Sequence, residues 1–401
     1  MPLEEIINRQ GIIISAPASG AGKTTVTLGL INAFARKRSV QPFKSGPDYI
    51  DSKFQSVAAD RPSYNLDTWA MSSSDILNMI GMVGPSDLCI AEGSMGLFDG
   101  VISKGAGGNG STADLASITN WPVILVVDCA KQAQSVAALI TGFTSFRHDI
   151  TIGGIILNNI SSKRHEALVV SEVSKTKVPI LGVIPRSNEL TIPERHLGLV
   201  QAEDLSDLEQ LIFKLGTLIE ENCDLEAIAC TARNSFPPIS TLQKITPPAQ
   251  RIAIARDNAF TFTYSHLIEG WKKQGAEISF FSPLNDEPPS KSDDMVWLPG
   301  GYPELYLGRL SECKKFKNGL IDFSKKRPVH GECGGYMVLG RKIIGKSGQA
   351  YDMIGMFDLV TSFEKRKLNL GYRKAKAIEP FFGIKKGSTA VSYTHLRAHE
   401  T

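Results

Sequence analysis

The chain has 401 residues, of which 42% are hydrophobic and 21% are charged, and it carries 44 Lys and Arg against 41 Asp and Glu. This length predicts two or three domains, and the composition excludes the disordered and fibrous classes. The net charge of +3, without long basic runs, argues against nucleic acid or a membrane surface as a partner.

The cysteine spacing and the apolar runs exclude further classes of protein. The six cysteines form no C-x-x-C pair, which argues against a disulfide framework and against a zinc site. No apolar run reaches the length of a membrane helix, and the N-terminus is acidic where a signal peptide would be basic. We therefore expect a cytoplasmic enzyme or nucleotide switch with several domains.

The first 232 residues alternate strand-like and helix-like segments. Because the strands are apolar on both faces, they predict an α/β fold with a doubly wound, mostly parallel sheet. A helical pattern over residues 204–232 closes this half. The predicted strands are Gly11–Ala16, Val40–Lys44, Leu88–Glu92, Val123–Asp128, Ile152–Leu157 and Pro179–Ile184, and the predicted helices include Lys23–Arg38, Gln132–Phe146 and Lys163–Lys175.

Two Pro-Pro pairs mark the end of this half. They predict a stiff linker over residues 233–250, between a first domain at 1–232 and a second α/β domain at 251–391. The predicted strands of the second domain are Ile252–Ala255, Glu277–Phe281, Met295–Leu298 and Pro328–Gly331.

A phosphate-binding loop follows the first predicted strand. Its backbone N–H groups can cradle phosphates at a helix N-terminus, Lys23 can reach the β- and γ-phosphates, and the Thr24 hydroxyl can bind Mg²⁺. The strict pattern has glycine where this chain has Pro17, so a plain glycine-rich turn is the alternative. The candidate ATP-binding residues of the loop are Gly20, Gly22, Lys23, Thr24 and Thr25.

Further polar residues follow the later strands of the same sheet. A doubly wound sheet places its ligands at the carboxyl ends of its strands, where these side chains would meet. Carboxylate oxygens suit a hard cation, so Asp48 and Glu92 could complete a Mg²⁺ shell. Each carboxylate taken alone could instead be a helix cap. The candidates are Lys44, Asp48, Tyr49, Asp51, Glu92, Asp99 and Asn158.

A candidate nucleophile, Cys333, lies in a G-x-C-x-G turn between a predicted strand and a helix. Such a turn exposes the side chain at a helix N-terminus, where the thiolate is favoured. The N–H groups of Gly334 and of Gly301, in an upstream glycine turn, could hold an oxyanion. A buried structural cysteine is the alternative. We expect His330 to pack on its own strand and not beside the thiol.

Together these motifs resemble the cobyrinate (or hydrogenobyrinate) a,c-diamide synthase family. Its members combine a synthetase domain similar to dethiobiotin synthetase with a class I glutamine amidotransferase domain. Pro17 agrees with this family, whereas the related cobyric acid synthases differ over residues 46–51. The segments that carry the resemblance are Ala16–Thr25, Pro42–Asp51, Tyr64–Trp69, Glu92–Gly100 and Gly331–Gly335.

The resemblance implies a ligase of cobalamin biosynthesis that uses ATP as co-substrate and Mg²⁺ as cofactor. It would convert the a and c acetate side chains of a corrinoid polycarboxylate into amides, through an acyl phosphate and ammonia from glutamine. The resemblance further implies that Cys333 forms a glutamyl thioester and that Asn158 recognises the adenine of ATP. The metal candidates are Thr24, Asp48 and Glu92, and the substrate-binding candidates are Lys44, Tyr49, Asp51 and Asp99.

The resemblance weakens at the end of the chain. A class I amidotransferase needs a histidine well downstream of its cysteine, within a Gly-His-Glu-Phe-like stretch after Gly387–Ala390. The chain instead reads Ser392–Thr401, which we interpret as a non-native tail on a C-terminally truncated domain. Neither His395 nor His399 is assigned as catalytic base. We therefore expect this chain to lack glutaminase activity.

Three other functions remain as alternatives. Two belong to the same class: a cobyric acid synthase and a nickel-sirohydrochlorin a,c-diamide synthase. The third is a P-loop ATPase switch whose thiol domain is catalytically inactive. The sequence leaves open whether the corrinoid ring already holds cobalt, which carboxylate is amidated first, and whether the protein is a homodimer.

Overall fold

The computed structural model divides the chain into two compact units, Met1–Gln243 and Lys244–Thr401. It describes residues 9–187, 194–195, 198–199, 207–235, 245–364, 369–380, 385–396 and 399–400. Each unit has its own sheet and its own hydrophobic core. Over these residues, no helix combines the length and the apolarity that crossing a membrane requires.

The first unit alternates strands and helices along its length. Its strands are β1 (Arg9–Ser15), β2 (Val40–Ser45), β3 (Tyr64–Leu66), β4 (Leu88–Glu92), β5 (Val123–Asp128), β6 (Ile152–Ile160), β7 (Ile180–Pro185), β8 (Glu194–Arg195), β9 (Gly198–Leu199) and β10 (Arg233–Ser235). Its helices are α1 (Lys23–Ala35), α2 (Tyr49–Ala59), α3 (Ser73–Met82), α4 (Thr112–Thr119), α5 (Val136–Ser145), α6 (Lys163–Val173), α7 (Leu208–Asn222) and α8 (Leu225–Thr231).

The main sheet of this unit has the strand order β3-β2-β4-β1-β5-β6-β7, and neighbouring strands along this path are parallel. This confirms the predicted doubly wound, mostly parallel sheet. The central strands β1, β4 and β5 are almost wholly buried because helices cover the sheet. The carboxyl ends of β1, β2 and β4 therefore meet at one edge, where the phosphate-binding loop begins.

Two features of this unit differ from the sequence expectation. Residues 233–235, predicted as the start of a linker, form β10 and pair antiparallel with β1 from Arg9↔Ser235 onward. Strand β5 pairs only with Ile13–Ser15 of β1. Strand β10 therefore pairs with the backbone groups at the start of β1 that β5 leaves unpaired. Within the described part of the predicted helical segment 204–232 there are two helices, because Asp224 starts a new one by accepting a hydrogen bond from the Ala227 N–H at 2.9 Å.

The second unit contains the four predicted parallel strands. Its strands are β11 (Arg251–Ala255), β12 (Glu277–Phe281), β13 (Met295–Leu298), β14 (Val329–Gly331), β15 (Lys342–Ile344), β16 (Ala350–Asp352), β17 (Val360–Ser362), β18 (Asn369–Lys376), β19 (Thr389–Leu396) and β20 (His399–Glu400). Its helices are α9 (Ser265–Lys273), α10 (Leu307–Glu312), α11 (Lys314–Ser324) and α12 (Gly334–Leu339).

The strands of this unit form separate sheets. The parallel sheet has the order β12-β11-β13-β14, a mixed sheet has the order β16-β15-β17-β20, and β18 pairs with β19 alone. The carboxyl ends of β13 and β14 lead into the two glycine turns singled out from the sequence. The parallel sheet therefore brings these turns to the same edge.

The packing at Gly11 and Gly142 gives matched substitutions with opposite expected effects. A Cβ at Gly11 would lie 2.3 Å from a ring atom of the buried Trp121, whereas a Cβ at Gly142, in α5, would meet nothing within 4 Å. We expect Gly11→Ala to lower the free energy of unfolding by about 1–3 kcal/mol, because the core must shift to admit the methyl group. Gly142→Ala should raise it by about 0.5–1 kcal/mol through helix propensity. Urea unfolding measures both changes, and equal effects would contradict this packing.

Candidate functional site

The loop between β1 and α1 has the backbone geometry of a phosphate cradle. Gly20 and Gly22 have φ angles of 81° and 84°, a region that a side chain would strain. Gly22 directly precedes α1, so unpaired N–H groups of the first helical turn border this loop. The predicted residues Lys23, Thr24 and Thr25 form that first turn, where an anion is favoured by the helix field.

One buried carboxylate, that of Glu92 at the end of β4, lies beside this helix start. Its Oε1 atom accepts a hydrogen bond from Thr24 Oγ1 at 2.7 Å and is 3.1 Å from Lys44 Nζ. Lys23 Nζ is 3.6 Å from the same oxygen. The side chain of Glu92 has 0% exposure. The structure thus gathers a hydroxyl and two ammonium groups around one oxygen atom.

The pKa values of this cluster follow from burial and mutual charge. For Glu92, burial alone would raise the pKa, but the Lys44 and Lys23 ammonium groups outweigh it and lower the pKa. For Lys44, burial would lower the pKa, but the carboxylates of Asp51 and Glu92 raise it well above its usual range. Lys44 and Glu92 are therefore both charged at neutral pH.

Lys23 differs from Lys44 in its electrostatic environment. Burial and the neighbouring Lys44 ammonium lower the pKa of Lys23. Its distance of 3.6 Å from the Glu92 Oε1 atom is longer than a charge-assisted hydrogen bond. Lys23 therefore makes a longer contact with Glu92 than Lys44 does, and Lys44 lies between two carboxylates.

Two predicted residues lie at the start of α2. Asp51 forms a short ion pair with Lys44, and burial together with the charge of Asp48 raises the pKa of Asp51 to about 7. Asp48 is the helix cap, since its Oδ1 accepts hydrogen bonds from the N–H groups of Ile50 at 2.8 Å and Asp51 at 3.1 Å. Tyr49, the first residue of α2, is half-buried.

Asp99 lies in the turn after β4, apart from the contacts of the Glu92 cluster. Its Oδ2 accepts a hydrogen bond from the Gly96 N–H at 2.9 Å, and the Leu97 N–H donates to the Ala16 carbonyl at 2.8 Å. A Cβ at Gly96 would lie 2.5 Å from the Pro17 carbonyl oxygen. The side chain of Asp99 therefore shapes a turn that packs against the phosphate-binding loop.

Asn158, at the end of β6, also holds the phosphate-binding loop. Its Nδ2 donates to the Ala21 carbonyl at 2.9 Å, and a Cβ at Gly22 would lie 2.3 Å from that nitrogen. From the sequence we expect Asn158 to recognise the adenine of ATP, and this stays a prediction. The contact adds a second role, because it fixes the loop in the conformation that glycine at 22 permits.

The oxygen donors near the loop fit a magnesium ion. Thr24 and Glu92 lie together, whereas the third predicted ligand, Asp48, is the α2 cap. Across the described ranges, no three His, Cys, Asp or Glu side chains converge as a ligand set. Mg²⁺ needs no such set beside a nucleotide, since one or two carboxylates with phosphate and water oxygens suffice.

The thiol turn of the second unit has a strained backbone. Cys333 has φ 49° and ψ −118° between β14 and α12, a conformation that non-glycine residues rarely adopt. The N–H groups of Gly334 and Gly301 both lower the pKa of its thiol. The two glycines that the sequence proposed as oxyanion donors therefore both act on the Cys333 side chain.

The glycines of this turn are required by close packing. A Cβ at Gly301 would lie 2.1 Å from the Ala259 carbonyl oxygen, and a Cβ at Gly335 would lie 2.1 Å from the Leu298 carbonyl oxygen. A Cβ at Gly300 would lie 3.3 Å from the Cys333 sulfur. The sequence Gly300–Gly301 thus lets one backbone turn approach the thiol directly.

The expectation of a favoured thiolate at Cys333 is wrong for this structure. Cys333 is an exposed residue, but the protein atoms packed around its thiol desolvate it and raise its pKa to about 11. The charges of Glu332 and Glu304 also raise it, and the N–H groups of Gly334 and Gly301 offset this only in part. Helix α12 has six residues, so its field is small.

Glu332 is a neighbour of the thiol turn to which the sequence assigned no role. Glu332 accepts a hydrogen bond from the Trp297 indole N–H at 3.2 Å, and burial raises its pKa to about 7. The ring of His330 lies 4.1 Å from that of Trp297, which confirms that it packs there. His395 and His399 lie on β19 and β20, but their side chains are outside the described part of the chain.

Gln55 is the buried polar residue of the first site that the sequence analysis missed. Its Nε2 donates a hydrogen bond to the Oε2 atom of Glu92 at 2.7 Å. Gln55 belongs to no recognisable sequence motif, and it is 37 positions from Glu92 in the sequence. No local pattern could have revealed this contact.

Comparisons with known proteins match both units. Residues 12–200 match the model of the CobQ/CobB/MinD/ParA nucleotide binding domain, and residues 251–400 match the CobB/CobQ-like glutamine amidotransferase domain. Hydrogenobyrinate a,c-diamide synthase of Rhodobacter capsulatus is 47% identical over 380 residues, which cover 94% of this chain and 87% of the relative. The enzyme of the same name from Brucella anthropi is 46% identical over 376 residues, covering 92% and 85%.

Solved structures give a weaker likeness. The MinC:MinD cell division protein complex of Aquifex aeolicus matches with a TM-score of 0.34 and 15% identity, over 55% of this chain and 93% of that one. A score of that size carries no argument about function.

The thiol turn predicts how alkylation of Cys333 depends on pH. A thiol with a pKa of about 11 reacts slowly at pH 8, so Cys333 should react more slowly than the exposed Cys230. Glu332→Gln removes a negative charge and should move the alkylation midpoint of Cys333 down by about one pH unit. The acceleration should appear only above about pH 7, where Glu332 is ionised.

Peptide mass spectrometry after timed iodoacetamide treatment measures both cysteines in one sample. Cys230 is the internal control and should keep its rate in the Glu332→Gln variant. Faster alkylation of Cys333 than of Cys230 at pH 8 in the unchanged chain would contradict the high pKa.

Proposed function

The chain belongs to the family of hydrogenobyrinate a,c-diamide synthases, and from this premise we propose how its two sites divide the reaction. The enzyme is an ATP-dependent carbon–nitrogen ligase that takes nitrogen from glutamine and amidates the a and c acetate side chains of the corrinoid. The observation that carries the division is the Glu92 cluster at the phosphate-binding loop. We assign acyl activation to this cluster and ammonia release to the thiol turn.

In the first site a substrate carboxylate oxygen attacks the γ-phosphorus of ATP. The bond from that phosphorus to the β–γ bridging oxygen breaks, ADP leaves, and an acyl phosphate forms. Lys23, at the start of α1, would turn from Glu92 toward the γ-phosphate, where its charge stabilises the developing negative charge. The N–H groups around Gly20 and Gly22 hold the β-phosphate. Ammonia then attacks the acyl carbon, and inorganic phosphate leaves.

Thr24 and Glu92 are the residues that would hold Mg²⁺ with the nucleotide. The ion would neutralise phosphate charge during transfer. The Ser15 hydroxyl, at the end of β1, is buried and has no hydrogen-bond partner in the part of the chain that the structure covers, so a further oxygen lies at this strand end. Asp48 contributes through its charge on Asp51 and Lys44 while it caps α2.

We assign binding of the corrinoid substrate, which accepts the phosphoryl group, to the residues around α2 and the turn after β4. We call this the acceptor side. Lys44 carries a fixed positive charge between Asp51 and Glu92, which suits a substrate that brings carboxylates. Tyr49 and Asp99 border the same loops and complete the proposed corrinoid side. The relatives are named for hydrogenobyrinate, so we propose the metal-free ring as substrate.

In the second site Cys333 attacks the carboxamide carbon of glutamine. The tetrahedral oxyanion would accept hydrogen bonds from the N–H groups of Gly301 and Gly334, both of which lower the pKa of the Cys333 thiol. Collapse forms a glutamyl thioester and releases ammonia, and water then releases glutamate. We assign no residue as the base that takes the thiol proton, and the expectation that this chain lacks glutaminase activity stays a prediction.

Three further assignments complete the proposal. We place the enzyme in the cytoplasm with ATP, glutamine and the corrinoid as its small-molecule partners, and without nucleic acid or membrane as a partner. Whether the protein forms a homodimer stays an open question. The names of the relatives favour diamide synthesis over a cobyric acid synthase, a nickel-sirohydrochlorin a,c-diamide synthase and a P-loop switch.

Lys23→Ala tests the acyl-activation site. Because this lysine serves phosphoryl transfer, which precedes both nitrogen sources, we expect diamide formation from hydrogenobyrinate to fall by about 100-fold or more with glutamine or ammonium. Lys214→Ala, on the exposed face of α7, is the matched control and should keep full activity. Near-normal synthesis by Lys23→Ala with ammonium would contradict the assignment.

Cys333→Ser tests the division of labour between the sites. Ammonium-supported diamide formation should stay within about twofold of the unchanged chain, since the acyl phosphate forms in the other unit. In a homologue with an intact amidotransferase domain, the equivalent substitution should lower glutamine-supported formation to the level seen without a nitrogen source. Cys230→Ser is the control. Loss of the ammonium-supported reaction in Cys333→Ser would show that the thiol also serves acyl activation.

A further inference from the structure

The two oxygen atoms of Glu92 have different partners. The Oε1 atom faces Thr24 at 2.7 Å and Lys44 at 3.1 Å, on the side of the phosphate-binding loop. The Oε2 atom accepts a hydrogen bond from Gln55 Nε2 at 2.7 Å, on the side of α2. Gln55 has 0% exposure, so water cannot replace its amide. The carboxylate is therefore held at both oxygens by different elements.

The orientation of the Gln55 amide is fixed by a second hydrogen bond. The Ser63 hydroxyl donates to Gln55 Oε1 at 2.8 Å, while the Ser63 N–H donates to Ser56 Oγ at 2.9 Å. With its oxygen engaged by Ser63, the amide presents its N–H to Glu92. The opposite orientation would place the amide oxygen against the carboxylate oxygen, which is repulsive.

We propose that Gln55 is a positioning residue for acyl activation: it fixes the Oε2 atom of Glu92, so that Oε1 is the oxygen that faces Thr24, Lys44 and the nucleotide. This inference rests on the proposed function of the Glu92 cluster. Without the Gln55 donor, a buried oxygen would lose its partner and the carboxylate could turn about its side-chain bond. Oε1 would then leave the position that Thr24 now fixes.

The same contact connects the acceptor side to the nucleotide side. Gln55 lies in α2, whose first turn carries Asp51, and Asp51 pairs with the Lys44 ammonium. Lys44 in turn contacts Glu92. The bond from Gln55 to Glu92 closes a ring of contacts from α2 through β2 to β4. It therefore holds the start of α2 at a fixed distance from the phosphate-binding loop.

The experiment compares Gln55→Met with Gln41→Met. Both glutamines are buried in the same unit, but Gln41 Nε2 donates to the backbone carbonyls of Pro42 and Pro62 instead of Glu92. ATP binding is measured by calorimetry at a series of Mg²⁺ concentrations, with thermal unfolding recorded for each variant. We expect Gln55→Met to raise the half-saturating Mg²⁺ concentration roughly tenfold or more, as is usual when a partner behind a metal ligand is removed. Gln41→Met should leave it unchanged.

Ser63→Ala is a milder variant that keeps the Gln55 side chain but removes the bond that orients it. It should shift the Mg²⁺ dependence in the same direction by a smaller factor, and kcat with ammonium should fall more than the KM for hydrogenobyrinate rises. An unchanged Mg²⁺ dependence in both Gln55→Met and Ser63→Ala would overturn the inference, as would an equal shift in Gln41→Met.

The outcome separates this inference from the proposed function. If Lys23→Ala abolishes synthesis while the Gln55 and Ser63 variants behave as the unchanged chain, only the positioning role falls. If the unchanged chain binds ATP without any dependence on Mg²⁺, the assignment of the Glu92 cluster to Mg²⁺ and nucleotide binding is contradicted. The positioning role of Gln55 is then contradicted as well.

Discussion

The burial of the Glu92 carboxylate is the constraint on which the first unit depends. Removing a carboxylate from water costs several kcal/mol, which is compensated only if charges and hydrogen-bond donors surround it. Here the donors come from α1, β2 and α2, whereas Glu92 itself ends β4. One charge therefore fixes the relative positions of four elements. The same arrangement places the Lys23 ammonium 3.6 Å from Glu92, at the loop where a phosphate would bind.

The two sites differ in how far each is prepared for its chemistry. The Glu92 cluster holds Glu92 and Lys44 ionised, because opposite charges outweigh the effect of burial on their pKa values. The thiol turn is the reverse, since burial and two carboxylates keep the Cys333 proton in place. In an amidotransferase this difference has a use, because a protonated thiol does not attack glutamine until a base is engaged. Phosphoryl transfer needs only positioning and charge.

The sequence predicted the parts of the fold and the site that depend on local pattern. Strands such as β4 were found because both of their faces are apolar, and the loop around Gly22 and the turn around Cys333 were found because glycine spacing records backbone geometry. The pairing of β10 with β1 was missed, because it depends on how far β5 extends along β1. Gln55 was missed since its partner is distant in sequence, and the raised pKa of Cys333 was missed since burial of a sulfur atom is a tertiary property.

The central claim, that the Glu92 cluster activates a substrate carboxylate as an acyl phosphate, has a direct isotopic test. Hydrogenobyrinate carrying ¹⁸O in its carboxylates is incubated with the enzyme, ATP and ammonium, and the inorganic phosphate is analysed by mass spectrometry. Attack of the carboxylate on the γ-phosphorus predicts that each amide formed delivers one ¹⁸O atom to phosphate. Unlabelled phosphate accompanying diamide formation would contradict it, because the carboxylate oxygen would then have left by another route.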